Sequence, residues 1–533
     1  MRTTLINISQ GAFLLTLLLF VWMPGKHALH MFQQNRYELK RYIPWVSQAI
    51  TDFGSKLALY LFFLSPLFLL LFIEDELFSW IALTVIAALY ALLLWSLEKR
   101  KQYIKPLHLT NRVRRQIVTM ILLFLLISLP LVIWLPMRGW LIMVPVFYWL
   151  PWVLIIVMAL ITEPIENVVK SYYIYLAKRI LRKRENLIKI GITGSYGKTS
   201  SKNILNDILT NQFYSLMTPA SYNTPMGITI TIRTMLKPIH QVFICEMGAD
   251  KVGDIDMLTK FVKPQFGIVT SIGPQHLNTF KTLDNIILEK MKMIENLPIS
   301  GVGVLNRDNE HIRNYRIKNK CQILWYGIES EDVDYRAVNI RYSPRGTSFE
   351  VVTREQVSIP FETKMLGEHS VLNILAAIAL GKHLGIDWER LQKAVASTRQ
   401  VEHRLEVKKM SGYTVIDNAF NSNPVSSKNS LDILSLMPGK RIVMTPGMIE
   451  LGDKQDDYNR AFGAMMKGKA DVVLLIGKTQ TLPIFEGLKE SGYDMDQVYV
   501  MSSVKEAFAW LGTHASKDDT VLIENDLPDA FSR

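Results

Sequence analysis

The sequence predicts a multi-domain protein: N-terminal transmembrane α-helices, then an α/β domain built on a phosphate-binding loop (P-loop), then a second, Rossmann-like α/β domain. Three observations predict it. The first third of the 533 residues is dominated by apolar runs near the length of a bilayer crossing. Near residue 187 a short apolar strand runs into a glycine turn and then into a helical pattern. From there to the C-terminus short apolar strands alternate with helical patterns, the rhythm of parallel α/β folds.

Length comes first, because roughly 100 to 200 residues per domain implies three or so units. Charged residues at 20%, with 11 Trp and 23 Phe, exclude a largely disordered chain. Two cysteines, Cys245 and Cys321, exclude a disulfide framework and a cysteine-based zinc site. The 60 Lys and Arg exceed the 48 Asp and Glu by 12, which points to an anionic partner.

Five apolar runs, about 5–24, 55–73, 77–97, 116–136 and 139–162, each approach the roughly 20 residues of a span. The first has only Arg2 before it and no small-residue cleavage pattern after it, so it reads as a span rather than a signal peptide. Orientation follows from the cations. Lys26, Arg36, Lys40 and Arg41 follow the first span, and a cluster from Lys99 to Arg115 follows the third; both belong on the cytoplasmic side. The transmembrane region is therefore 1–165, with everything beyond it in the cytosol. The linker 166–186 carries Lys178, Arg179, Arg182, Lys183 and Arg184 where anionic headgroups attract them. Membrane lipid thus accounts for most of the excess charge, and nucleic acid is not an expected partner.

The soluble part opens with Leu187–Ile192 as a buried strand, followed by Thr193-Gly194-Ser195-Tyr196-Gly197-Lys198-Thr199-Ser200 and a helix with Ile204, Leu205, Ile208 and Leu209 on one face. Glycines let backbone N–H groups close around phosphate oxygens, and the helix N-terminus adds its positive dipole end. Lys198 reaches the outer phosphates and the Thr199 hydroxyl suits Mg²⁺, so ATP is the natural ligand. The strict G-x-x-x-x-G-K-[ST] spacing fails, because Ile192 stands where the first glycine belongs.

That departure is informative, since T-G-S-Y-G-K-T-S resembles the T-G-T-N-G-K-T loop of the Mur ligase family, ATP-dependent amide ligases of peptidoglycan synthesis. Further segments resemble the family's motifs in order: Ser221–Gly227, Phe243–Ala249, Ile272–Leu277, Gly367–Ala377, His403–Glu406 and Ile416–Pro424. The last two are similar to the D-alanyl-D-alanine-adding branch. Pro446–Gly452 is similar to its G-x-M-x-E-L-G turn, with Pro446 in place of the first glycine. The resemblance implies a central domain at 187–402, a C-terminal domain at 403–533, and an active cleft between them.

It also implies roles. The family transfers the γ-phosphoryl of ATP to a carboxylate, and an amine then displaces phosphate. Thr199 and Glu246 are suitable hard oxygen ligands for one Mg²⁺, and His276 would hold a second. Lys290, at the family's spacing from that histidine, would be carbamylated and act as a carboxylate-like ligand. Asn306 or Asn373 would lie near adenine, Arg404 at the γ-phosphate, and Asp417 at the ribose or phosphate chain. Arg404 also has an independent physical case, because a guanidinium fork neutralises transferring phosphoryl oxygens. His369 reads as a packing or turn residue. Ser370 and Asn418-Ala419 depart from the family's pattern, as does the ending Ile523-Glu524-Asn525, where the branch has K-G-S. The D-alanyl-D-alanine donor is therefore not carried over.

Missing is the family's N-terminal domain that grips a uridine diphosphate sugar; apolar helices take its place. The expected function is a membrane-anchored ligase with its ligase domains in the cytoplasm of a bacterium, joining an amino acid or short peptide to a membrane-presented carboxylate in cell-wall or surface-glycan synthesis. Alternatives are an anchored muramoyl-tripeptide D-alanyl-D-alanine ligase and a poly-γ-glutamate-type ligase. A membrane ATPase, sensor or transporter subunit would need the loop but not Glu246, His276 and Lys290 together.

Overall fold

The computed structural model describes residues 1–51, 74–99, 106–135, 139–275, 277–343, 345–400, 403–410, 412–419, 423–449, 451 and 454–525. The chain divides into two compact units, Met1–Tyr172 and Tyr173–Arg533.

In the first unit, among the described residues, four helices are long and apolar enough to cross a membrane: Arg2–Gln34, Glu76–Lys99, Asn111–Trp134 and the stretch from Val146 of the helix Trp140–Arg182. Phe13, Leu17, Trp80, Ala87, Phe124 and Trp140 pack inside the bundle, while Leu89, Leu92, Trp95, Leu122, Leu126 and Ile133 face outward. An outer surface this apolar suits lipid, where helices satisfy all their own backbone hydrogen bonds. The run expected at 55–73 lies outside the described residues. The last helix continues to Arg182, so most of the basic linker is helical rather than a separate connection. Its residues Ile174, Ala177, Ile180 and Leu181 explain the continuation, because they form one apolar stripe that packs into the second unit's core.

The second unit is built on two sheets. The first has nine strands: β1 (Ile188–Thr193), β2 (Ser215–Met217), β3 (Val242–Glu246), β4 (Phe266–Val269), β5 (Val302–Asn306), β6 (Gln322–Gly327), β7 (Tyr335–Ser343), β8 (Gly346–Thr353) and β9 (Ser358–Thr363). Their order is β2-β3-β1-β4-β5-β6-β7-β8-β9. Strands β1 to β6 are parallel and covered on both faces. Ile190, Ile192, Ile244 and Ile268 pack on helices Lys198–Leu209 and Glu368–His383. Phe243, Cys245, Val269 and Leu305 point the other way, onto Asp254–Val262 and Leu283–Glu295. Double-sided burial is why these strands read as unbroken apolar runs.

The parallel sheet carries an antiparallel extension at β7–β9. Its strands bury one face only: β9 alternates exposed and buried residues throughout, the mark of a half-buried strand.

The second sheet comprises β10 (Glu406–Lys409), β11 (Thr414–Asn418), β12 (Arg441–Thr445), β13 (Val472–Ile476), β14 (Val498–Met501) and β15 (Thr520–Glu524). The order is β10-β11-β15-β12-β13-β14, parallel except for β10. Strands β15, β12 and β13 lie side by side within it.

Candidate active site

Register places the site. In β1 Ile192 pairs with Glu246 of β3, and Thr193 pairs with Val269 of β4. Val269 in turn pairs with Leu305 of β5, one residue before Asn306. The P-loop, Glu246, Thr270 and Asn306 therefore meet at the carboxyl ends of four adjacent parallel strands, where open α/β sheets bind ligands.

The loop itself is held from outside. Ser195 Oγ donates to the Gly273 carbonyl at 2.9 Å and accepts from the Gly273 N–H at 3.1 Å. Thr270 Oγ1 donates to the Tyr196 carbonyl at 2.5 Å. Tyr196 Oη donates to the Pro274 carbonyl at 2.6 Å. Close approach requires glycine at 194: its φ is +152°, and a Cβ there would stand 2.1 Å from Thr270 Oγ1. Gly197, at φ +81°, caps the following helix, and Asn373 accepts from Ser201 Oγ at 2.7 Å on that helix. Asn306 Nδ2 donates to the Thr270 carbonyl at 3.2 Å. The two asparagines expected near adenine thus flank the loop and brace it.

Charge is concentrated behind this loop. Lys198 folds its Nζ onto the carbonyls of Gly194 and Ser195 at 2.6 and 3.0 Å. Burial lowers its pKa to about 8, with Glu246 and Asp250 pulling the other way and Arg404 adding to the depression. Lys290, 1% exposed, is lowered to about 7 by burial and then by the charge of Lys198. Arg404 is also depressed by burial, partly offset by Glu246. Lys198 thus feels Glu246 and Arg404, Arg404 feels Glu246, and Lys290 feels Lys198. His276 lies outside the described residues. Thr199 and Ser200 open the helix beside Lys198.

Sequence reasoning missed what holds Glu246. Lys202 stands 3.1 Å from Glu246 Oε2, with both side chains 1% exposed. Asn223 Nδ2 donates to Oε1 at 3.1 Å, and Thr218 Oγ1 accepts from the Glu246 N–H at 3.1 Å. A signal existed, because Lys202 is in helical register with Leu205 and Leu209 and so belongs to the buried stripe. Glu246 Oε2 is buried with an ion pair but no hydrogen bond among the described residues. A hard cation fits that oxygen, and Thr199 on the helix after the loop supplies the companion hydroxyl. When bound, Mg²⁺ would supply charge neutralisation at the phosphates. Among the described residues no three His, Cys, Asp or Glu cluster as a metal site; Glu246 and Thr199 are the donors that fit there.

Beside the loop lies a cavity of about 480 Å³, lined among others by Thr199, Asn203, Ala220, Ser221, Arg399 and Arg404. Arg399, Gln400, His403 and Arg404, from the junction that joins the two sheets, also line it. That junction is kinked: His403 and Leu405, either side of Arg404, have φ of +58° and +52°. Such backbone costs about 1–3 kcal/mol per residue and persists only where neighbours fix it. Here Arg399 grips Asp207 at 2.6 and 3.3 Å, and His403 Nδ1 lies 2.8 Å from Asp417 Oδ2. Asp417 also accepts from Lys408 Nζ at 2.8 Å. Although burial opposes it, bonds from Lys408, the Ala419 N–H and His403 keep the Asp417 carboxyl below the ordinary carboxylate range. Asp417 is thus tied into the junction. At the carboxyl end of β15, Glu524 is fully buried and accepts from Asn418, Ser427 and Ser430 at 2.8, 3.0 and 2.7 Å.

A P-loop, a buried carboxylate and cations at the mouth of an interdomain cavity define the class as nucleotide-dependent α/β enzymes. Residues 192–381 match the Mur ligase middle domain, and residues 403–524 match the Mur ligase glutamate ligase domain, together more than half of the chain. The UDP-N-acetylmuramoyl-tripeptide–D-alanyl-D-alanine ligase of Bacillus subtilis is 28% identical over 68% of this chain and 76% of its own length. Among solved structures, MurF from Acinetobacter baumannii superposes with a TM-score of 0.60 at 23% identity, covering 67% of this chain and 77% of that one. MurF from Thermotoga maritima in complex with ADP gives the same TM-score and identity over 67% and 80%. The chain belongs to the Mur ligase family, ATP-dependent enzymes that form C–N bonds.

The tight loop geometry gives a direct test. Gly194→Ala should weaken nucleotide binding by about tenfold or more, roughly 1.4 kcal/mol, in isothermal titration. Gly512→Ala, whose Cβ would meet nothing within 4 Å, should not. Equal affinities in the two variants would contradict the described loop.

Proposed function

We propose that this protein is a membrane-anchored peptide ligase of cell-wall synthesis, which activates a membrane-presented carboxylate as an acyl phosphate and joins it to an amino acid or short peptide. The observation that carries the reading is the cavity at the P-loop with Arg404 in its wall and Glu246 within electrostatic reach. A carboxylate and a triphosphate repel each other, so a pocket that joins them must supply cations. Lys198, released from its own loop carbonyls, neutralises the outer phosphates. Arg404 meets the transferring phosphoryl group. The carboxylate oxygen attacks the γ-phosphorus and ADP leaves; the amine then attacks the acyl carbon, and phosphate departs with that oxygen as the nitrogen loses its proton. Interdomain closure would keep water from the acyl phosphate.

Four long apolar helices support anchoring in the bacterial membrane with the ligase domains in the cytoplasm. They also support an acceptor held at the lipid surface, with membrane lipid and not nucleic acid as the neighbouring anion. The B. subtilis relative's name supports a muramoyl-peptide acceptor. A polymerising ligase would instead yield a mass ladder.

Lys290 suits carbamylation because burial holds its pKa near 7, and only the neutral amine captures CO₂. The adduct turns a buried cation into a carboxylate-like ligand, and His276 would complete that side of the metal site. The sign follows from the depression: the neutral form is abundant above pH 7 and is lost as pH falls through it. At limiting CO₂, activity should therefore fall below about pH 7. Lys290→Ala should lose most activity and recover part of it with added short carboxylates; full activity in that variant would refute the carbamate.

The ligase reading is tested with purified full-length protein, labelled ATP, candidate muramoyl peptides and candidate amines. Phosphate release should require both acid and amine, yield one C–N-linked product, and vanish in Lys198→Ala. ATP hydrolysis at the same rate without either substrate would favour the ATPase reading instead.

A further inference from the structure

The ion pair behind the loop has an unusual composition. Glu246 is a carboxylate that an entering metal would use, yet Lys202 already stands 3.1 Å from it in a space closed to solvent. Lys202 cannot swing out easily, because its Nζ also donates to the Ala220 carbonyl at 2.5 Å. Ala220 is itself constrained, at φ +41°. Lys198 and Arg404 add further positive potential around the same carboxylate.

From this geometry we infer that Lys202 is a counter-ion placeholder, which keeps Glu246 charged and oriented while making metal binding conditional on nucleotide. The inference rests on the reading of Glu246 as a metal ligand. A bare divalent cation on Glu246 would lie within a few ångströms of a fixed ammonium. In a water-excluded site that repulsion is strong. A triphosphate brings several negative charges to the same place and reverses the balance, so the metal enters with the nucleotide rather than before it. Lys202 is a positioning residue: it touches the carboxylate and the wall of the cavity, not the reacting atoms. Were its role only to brace the fold, removing it would loosen metal binding; the placeholder role makes the opposite demand.

Mn²⁺ titration of the full-length protein without nucleotide, read as loss of the free-ion paramagnetic resonance signal, separates the two. Lys202→Met should bind Mn²⁺ at least about tenfold more tightly than the parent. Lys202→Gln, which keeps a donor for the Ala220 carbonyl without the charge, should do the same and serves if the Met variant does not fold. Lys202→Arg should bind as weakly as the parent, and Lys202→Met with Glu246→Gln should lose the gain. Equal or weaker Mn²⁺ binding in both neutral variants would overturn the inference. Failure of the parent to bind Mn²⁺ together with ATP would instead sink the underlying reading.

Discussion

One constraint shapes the ligase half of this protein: Lys198, Lys202 and Arg404 gather around Glu246 at the carboxyl ends of β1 and β3, with Lys290 acting on Lys198. Lys198, Lys202, Lys290 and Arg404 would all be easier to keep in water, and burial depresses the pKa of Lys198, Lys290 and Arg404. Placing a charge in a low-dielectric interior is costly unless something compensates it. Glu246 acts on Lys198, Lys202 and Arg404, while Asp250 acts on Lys198 and Lys290 and Glu289 on Lys290. An anionic ligand would add to that compensation. The protein is in effect prepared for phosphate.

The fold makes that burial tolerable by fixing backbone rather than side chains. Parallel pairing of β1 with both β3 and β4 sets the loop between Glu246 and Thr270. The 270–274 turn then binds the loop through Ser195, Tyr196 and Thr270, so the loop does not depend on its ligand for shape. On the opposite side, Asp207 and Asp417 hold the strained segment that aims Arg404. Those two carboxylates are structural anchors, each committed to a cationic partner. Glu246 is paired as well, with Lys202, but its Oε2 has no hydrogen bond among the described residues.

Much of this was legible in the sequence, for a physical reason. Strands buried on both faces must be apolar throughout, so β1, β3, β5 and β13 announced themselves, and a glycine turn between strand and helix has few other uses. The antiparallel β7–β9 extension was not legible, because its strands bury one face and β7 has a single buried residue. Nor was β10, whose Glu406-Val407-Lys408-Lys409 carries almost no apolar signal and is held instead by pairing with β11 and by Lys408 bridging Glu406 and Asp417. Of the residues read from motifs, Glu246, Asn306 and Asn373 lie around the P-loop and Arg404 and Lys290 act on Lys198, whereas Asp417 is tied to His403 and Lys408 and His276 lies outside the described residues. Lys202 escaped because its partner is remote in sequence; only the helical register of a lysine with two leucines hinted at burial.

The central claim is that this constellation drives phosphoryl transfer to a carboxylate. Its most direct measurement uses an acceptor whose carboxylate carries ¹⁸O, incubated with ATP and an amine, with the released phosphate analysed by mass. Attack by the carboxylate on phosphorus predicts one ¹⁸O in each phosphate formed together with product. Phosphate with no label, formed alongside the same product, would contradict the account.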